Sequence, residues 1–259
     1  MIRVGSLFSG IGGFELGIEA AFGASVQTVW QVEKDLFCQK VLKKHWPNVL
    51  LLDDVKKVNK DTVPPIDMLI GGFPCQSISI AGKMEGLENA EKSGLWWEMY
   101  RIIGDLRPRI VVLENVANIL CVGGSTVVGS LARIGYDLEW QVVRASDFGA
   151  PHRRSRWFCL AYTASPQQKQ PTYTKRMEQK KRTVHRIRQG LWYNKRTSDW
   201  TKFPTQSPVC RRNDGIPNRM DRLRSLGNSI VPACSEYVGR CILNSGLVDD
   251  LLEGEHERL

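Results

Sequence analysis

The sequence predicts an α/β fold, a Rossmann-like sheet with helices on both faces, and three observations carry that prediction. Short apolar runs alternate with amphipathic stretches throughout residues 1–162, the pattern of strand alternating with helix. The first run closes in the glycine cluster Phe8-Ser9-Gly10-Ile11-Gly12-Gly13, the turn chemistry of a strand handing over to a helix beside a ligand. The run Ile110-Val111-Val112-Leu113 is continuously apolar, as a strand covered on both faces must be.

Taken in order, Arg3–Phe8 reads as the first strand and Phe14–Phe22 as the helix after it. Val26–Val32 is a strand, Leu36–His45 a helix, and Met68–Ile70 a third apolar strand entered through Ile66-Asp67. Leu95–Leu106 is helical because Leu95, Met99, Ile102, Ile103 and Leu106 fall on one face. Ile110–Leu113 is the buried strand, Val127–Ile134 a helix, and Leu138–Val143 and Trp157–Ala161 two more strands. The alternation then stops. Residues 163–225 are rich in Gln, Thr, Pro and Arg, with Tyr173, Trp192, Tyr193, Trp200 and Phe203 interspersed; poor periodicity leaves them without assigned structure. Order returns in the helix Pro232–Leu243, which starts on proline. The acidic tail after Val248 is expected to be exposed.

Charge divides the chain at the same places. The 259 residues carry a net +9. Pro166–Leu226 alone holds sixteen Lys and Arg against four acidic residues, an excess of +12, which leaves −3 for the remainder. A polyanion is the natural partner for positive charge so concentrated, although a solvated basic loop has the same composition. The length allows one core with a smaller appendage. No apolar run reaches the ~18 residues that span a bilayer. The stretch Met1–Phe8 lacks the layout of a secretory signal, so a cytoplasmic protein is expected. The seven cysteines (Cys38, Cys75, Cys121, Cys159, Cys210, Cys234 and Cys241) are odd in number and form no CxxC pair. That argues against a disulfide framework and a structural zinc site, and most should be small buried apolar residues.

Four landmarks fall where strands of such a sheet end, the edge at which ligands bind. The first is the glycine turn, whose spacing departs from the dinucleotide fingerprint; Glu33, about 20 residues on, closes the second strand where an acid can take a ribose diol. On its own the turn is also an ordinary tight connection, and Glu33 an ordinary surface carboxylate. The second is Gly71-Gly72-Phe73-Pro74-Cys75-Gln76-Ser77 after the strand ending at Ile70. A lone cysteine is more often a buried core residue, but these flanks fix a loop that presents Cys75 outward. The third, Glu114-Asn115-Val116, directly follows Ile110–Leu113; alone it could cap a helix. The fourth is Pro151-His152-Arg153-Arg154-Ser155-Arg156 before Trp157. Its alternate arginines project to one side of an extended segment and can hold a carboxylate, a phosphate or a base oxygen; in isolation it is also a solvated basic turn.

These landmarks, in this order, resemble the DNA cytosine-5 methyltransferase family, above all its compact bacterial and phage members. The resemblance covers 1–162 and 226–242, where Gly227-Asn228-Ser229-Ile230-Val231-Pro232 looks like the family's late motif. The Gly72–Ser77 loop is its most specific part. It implies a Rossmann-like S-adenosylmethionine-dependent methyltransferase sheet with a small, irregular target-recognition region. Residues 1–162 would be the catalytic and cofactor-binding domain, 163–225 the short basic target-recognition region, and 226–259 a C-terminal segment returning to the catalytic domain.

The same resemblance implies roles. Cys75 is the thiolate that attacks carbon 6 of cytosine, making carbon 5 nucleophilic enough to accept a methyl group; it must be partly ionised to act. Glu114 contacts ring nitrogen N3 and the exocyclic amine. Arg154 binds the cytosine carbonyl oxygen as it gains charge, and Arg156 supports the loop or Glu114. A stacked base is out of reach, so the target is flipped from the duplex. For the cofactor, S-adenosyl-L-methionine, Phe8 packs on the adenine, Glu33 binds the ribose hydroxyls, and Asp54 and Val55 lie at the adenine edge. Gly10, Gly12 and Gly13 pass the methionine moiety, Ser229 lies near its carboxylate, and Pro74 and Asn228 complete the set. No metal is implied. The expected partner is double-stranded DNA, met by a monomer without membrane attachment, and a cognate restriction endonuclease is a candidate second partner.

Two departures stand out. His152 occupies a position where the family usually has Gln, and the recognition region is short for its role. The end of that region, Pro208–Pro217, resembles phage-type members, but no target sequence is legible in it. Two other readings keep much of this pattern: a tRNA substrate, which the basic segment would also suit, and a non-catalytic binder, against which the intact Cys75, Glu114, Arg154 and Arg156 argue. An amino-group methyltransferase lacks its Asp-Pro-Pro-Tyr-like loop here, and nothing suggests the hydride site of an NAD enzyme.

Overall fold

A computed structural model of the chain describes residues 1–74, 94–163 and 219–253. The strands are β1 (Ile2–Leu7), β2 (Val26–Val32), β3 (Leu50–Leu52), β4 (Met68–Gly71), β5 (Ile110–Val116), β6 (Asp137–Arg144) and β7 (Ser155–Tyr162). They form one sheet in the order β3-β2-β1-β4-β5-β7-β6. All neighbours from β3 to β5 are parallel, and β7 runs antiparallel to both β5 and β6. The helices are α1 (Gly13–Phe22), α2 (Leu36–His45), α3 (Leu95–Leu106), α4 (Ile119–Val122), α5 (Gly124–Arg133), α6 (Arg219–Asn228), α7 (Pro232–Ser245) and α8 (Asp249–Glu253).

The alternation of the central strands sorts their side chains into two cores. Ile110 and Val112 of β5 face Phe14, Ile18 and Val238 of α1 and α7. Val111 and Leu113 face Met99, Ile102, Val127 and Leu131 of α3 and α5. Strands buried on both faces need apolar residues at every position, and β4 and β5 have them until Glu114. Helices α1 and α7 cross closely because their contact residues are small. A Cβ on Gly17 would lie 2.4 Å from the Pro232 carbonyl oxygen, and one on Gly239 2.6 Å from the Ala21 Cβ.

Several boundaries differ from the sequence reading, each for a physical reason. Leu50–Leu52 adds an edge strand of three residues beside Trp30–Val32, too short to show a period, so Met68–Gly71 is the fourth strand rather than the third. β5 runs on to Val116 and β7 begins at Ser155; Glu114 and Arg156 therefore lie within paired strands rather than just outside them. Helix α5 starts at Gly124, three residues ahead of the expected Val127. Of the tail expected to be exposed after Val248, the described part, residues 249–253, is docked: α8 packs Leu251 and Leu252 against the core, and Arg109 pairs with Asp250 at 2.7 Å, while residues 254–259 lie outside the described residues. The partner of Asp250 is a residue 141 positions away, which no local reading can see. Among the described residues no helix is long and apolar enough to cross a membrane.

The chain turns back across the sheet between β3 and β4, so neighbours β1 and β4 are followed by connections on opposite sides. Such a switch point opens a crevice at the carboxyl ends of the parallel strands. Leu7 pairs with Gly71 and Gly71 with Leu113, which sets the glycine turn, the Gly72-Phe73-Pro74 loop and Glu114 side by side along that edge.

Candidate active site

On the β1 side the site is built from backbone. Phe8 and Gly10 both hold left-handed φ angles, 58° and 57°, so the chain leaves the strand sharply. The Gly10 N–H donates to Glu33 Oε2 at 2.7 Å, and the Asp35 N–H to Glu33 Oε1 at 2.8 Å. Glu33 thus braces the turn and the start of α2 together, with a lone pair to spare on each oxygen. A Cβ on Gly10 would meet nothing within 4 Å, so this stretch of backbone borders open space. Gly12, at φ 86°, rests on Trp46, whose ring would lie 2.3 Å from an added Cβ. Gly13 touches the late segment: its Cβ would fall 2.4 Å from the Ile230 carbonyl oxygen and 2.7 Å from Ser229 Oγ. Behind the turn, Glu15 is fully buried and accepts from Gln31 Nε2 at 3.2 Å; burial pushes its carboxyl above the usual range, against hydrogen bonds from Ser6, Ser9 and Gln31.

On the β4–β5–β7 side the site is built from charge. Glu114 sits opposite Phe158 and Arg156 opposite Val116, so Glu114 and Arg156 are diagonal neighbours on one face of an antiparallel pair. Arg156 Nε meets Glu114 Oε1 at 2.9 Å. Glu114 is 8% exposed. Its pKa is pushed up to about 7 by burial, while the charges of Arg156 and Arg154 pull the other way. Desolvation wins because the carboxyl lies beside close-packed strands, where the ionic form loses its water. Gly72 allows Glu114 to stand this close, for a Cβ there would be 2.7 Å from Oε2. Asn115, on the other face, donates from Nδ2 to the Phe73 carbonyl at 2.8 Å and holds the loop that runs on to Cys75.

Arg154 lies just ahead of β7, and its Nη2 donates to the carbonyls of Gly227 (2.8 Å) and Ser229 (2.5 Å). Asp54 caps a short turn by accepting from the Lys56 N–H at 3.0 Å, and Val55 is buried beside it. Ser229 is half-buried, whereas Pro74, His152 and Asn228 are exposed. Cys75, with Gln76 and Ser77, falls outside the described residues, as does the segment 164–218. Burial pushes the thiols of Cys38, Cys234 and Cys241 to about 11 and that of Cys159 to about 12, which leaves them inert as thiolates.

Three residues of this edge escaped the sequence reading. Trp46 supports Gly12 and donates to Glu19 Oε1 at 2.8 Å. Asp35 caps α2 by accepting from Phe37 and Cys38, and an Asp ahead of an apolar helix start was a legible signal for that cap. Arg224 of α6 pairs with Asp35; nothing local in a basic stretch singles it out.

Comparison with known proteins joins this geometry to a family. The type II methyltransferase M.Bsp6I of Bacillus sp. (strain RFL6) is 35% identical over 169 residues, which are 62% of this chain and 52% of that protein. The type II methyltransferase M.CviJI of Paramecium bursaria Chlorella virus IL3A is 40% identical over 161 residues, 61% of this chain and 42% of that one. The chain thus spans about half the length of the curated relatives it matches. Among solved structures, a DNA modification methyltransferase encoded within an E. coli prophage matches 63% of this chain and 47% of its own, with 28% identity and a TM-score of 0.50. The Entamoeba histolytica methyltransferase EhMeth matches 97% of this chain and 99% of its own at 15% identity and a TM-score of 0.60, a likeness of fold alone. Residues 2–213 match the family described as C-5 cytosine-specific DNA methylase. With the glycine turn, the Gly72–Pro74 loop and Glu114 ranged along one edge of that fold, the chain belongs to the C-5 cytosine-specific DNA methylases.

Proposed function

We propose that the chain methylates carbon 5 of cytosine in double-stranded DNA, with S-adenosylmethionine as methyl donor and Cys75 as nucleophile. One observation carries this reading: Glu114 is buried against the loop leading to Cys75, its pKa is pushed up to about 7, and Arg156 holds one of its oxygens. A carboxyl so poised exchanges a proton near neutral pH. It can share that proton with ring nitrogen N3 and accept from the exocyclic amine.

The open face at Gly10 and the lone pairs left on Glu33 suit an adenosyl group at the crevice, with Phe8, Asp54, Val55, Pro74, Gly12, Gly13, Asn228 and Ser229 completing its surroundings. The bound cofactor supplies an electrophilic methyl group. Cys75 forms a bond from Sγ to carbon 6, and the ring electrons move toward carbon 5 and N3. Glu114 offsets the charge arriving at N3, and the nearby guanidinium of Arg156 favours the polarised ring. Once carbon 5 has been methylated, its proton passes to solvent, the electron pair of that C–H bond reforms the 5,6 double bond, and the Cys75–carbon 6 bond breaks to release the thiolate and restore the aromatic base. The basic segment within 163–225 would hold the phosphates while the target is flipped. A monomeric modification enzyme in the cytoplasm, beside a cognate restriction endonuclease, belongs to the same reading.

The test is a trap. DNA containing 5-fluorocytosine has no proton to lose at carbon 5, so a working enzyme stays bonded to it. A denaturing-gel adduct mapped to Cys75 is the expected result. No adduct on mixed-sequence DNA, with one formed on 5-fluorocytosine RNA, would move the substrate to RNA; no adduct on either would sink the enzyme reading.

A further inference from the structure

Arg154 precedes β7 with a φ of 29°, a conformation that residues with side chains hold only where the surroundings impose it. What surrounds it is the late segment. Both hydrogens of its Nη2 are committed, one to the Gly227 carbonyl and one to the Ser229 carbonyl. These carbonyls lie at the C-terminal end of α6, where helical partners run out. The same few residues form a wall of the crevice, because Ser229 Oγ and the Ile230 carbonyl abut Gly13. Upstream, α6 is seated on α2. Ser225 Oγ lies 3.3 Å from Cys38 Sγ, Arg224 pairs with Asp35, and the Asp35 N–H is the one that donates to Glu33. One guanidinium therefore ties the strand carrying Arg156 to both sides of the glycine turn.

We propose that Arg154 is a positioning residue for the cofactor rather than a contact of the base: it clamps residues 227–229 against Gly13 and so sets the width of the adenosyl crevice. The inference rests on the reading of that crevice as the S-adenosylmethionine site. It gives the two alternate arginines separate tasks, Arg156 at the Glu114 carboxyl and Arg154 at the crevice wall. Lysine at 154 would keep a positive donor able to reach at least one carbonyl, but not the planar fork.

The test is calorimetric binding of S-adenosylmethionine to the whole protein without DNA, with steady-state methylation alongside, for wild type, Arg154→Ala, Arg154→Lys and Arg156→Ala. Losing a charge-assisted pair of hydrogen bonds should weaken cofactor binding by about tenfold or more in Arg154→Ala. Arg154→Lys should recover most of that loss. KM for the cofactor should rise in parallel with Kd, with the smaller change in kcat, whereas Arg156→Ala should bind cofactor normally and lose kcat. Cofactor binding unchanged in Arg154→Ala, with kcat lost at saturating cofactor, would place Arg154 at the base and overturn the proposal. Should the alanine variant fail to fold, Arg154→Gln, which removes the charge and the fork but keeps a polar side chain, decides: a raised Kd supports the clamp, and a wild-type Kd overturns it. A wild-type protein that binds no S-adenosylmethionine sinks the functional reading instead, a separate outcome.

Discussion

The two halves of the carboxyl edge are built by opposite means. Around β1 and β2 the working surface is main chain, the amide of Gly10 held by Glu33 and the flanks of Gly12 and Gly13 pressed against Trp46 and Ile230. Around β5 and β7 it is ionisable side chain, a carboxyl and two guanidiniums withdrawn from water. A surface of main chain is sensitive to added volume and indifferent to protonation. A surface of buried charge is sensitive to protonation and to the loss of any one partner.

The comparison can be broken most decisively on the charged side. Cys75→Ser should lower kcat by at least about 10³-fold, the scale seen when a covalent nucleophile is removed, while calorimetry finds cofactor and DNA binding intact. Near-normal rates in that variant would end the covalent mechanism. Glu114→Gln comes next, with kcat reduced by about 10²–10³-fold and cofactor Kd unchanged. If cofactor binding fell in step with kcat, the two halves would not be separable.

On the main-chain side, Gly13→Ala should act through volume. The added carbon cannot be accommodated beside a backbone carbonyl without moving the late segment. KM for the cofactor should rise by roughly tenfold, in line with about 1–3 kcal/mol for overpacking, with a smaller change in kcat.

Stability against pH sharpens the same contrast. The Glu114 pKa rises from 4.5 to about 7 on burial. Below the lower value the carboxyl is protonated in both folded and unfolded chains. Between the two, the unfolded chain releases a proton that the folded chain keeps, so stability falls as pH rises. Above the upper value the penalty levels off at about 3 kcal/mol. Melting curves from about pH 5 to about pH 8 should therefore show Glu114→Gln gaining on wild type as pH rises; a constant difference would mean that the carboxyl is ionised throughout. The smallest effect is Arg109→Ala, which frees α8 and should cost about 1–2 kcal/mol of stability with kcat and KM unchanged in the same assays.

Legibility followed the same division. Val26–Val32, Leu36–His45 and Leu95–Leu106 stand where periodicity put them, because their burial repeats along their own sequence. The glycine turn was readable because backbone geometry narrows the choice of residue. Helix α6 was not readable: its described side chains are mostly exposed, and its seat on α2 comes from pairings with Asp35 and Cys38, nearly 190 positions away. On the charged side the residue types were visible, since Glu114, Arg154 and Arg156 stand in recognisable runs. Their division of tasks was not, because strand register and the turn before β7 decide which guanidinium meets which partner.

The reversed direction of β7 has a consequence for re-engineering. The strand enters at the carboxyl edge with Arg156 opposite Val116 and leaves at the other end of the sheet, where the Thr163 N–H bonds the Arg109 carbonyl. The described chain resumes in α6, and Arg224 of that helix and Ser229 just after it are again at the carboxyl edge. β7 therefore ends at the rim opposite the one where Arg224 and Ser229 sit, a height of about 25 Å for a strand of this length. A donor segment grafted after Thr163 must therefore, together with the first turns of α6, regain that height, the span of roughly eight extended residues.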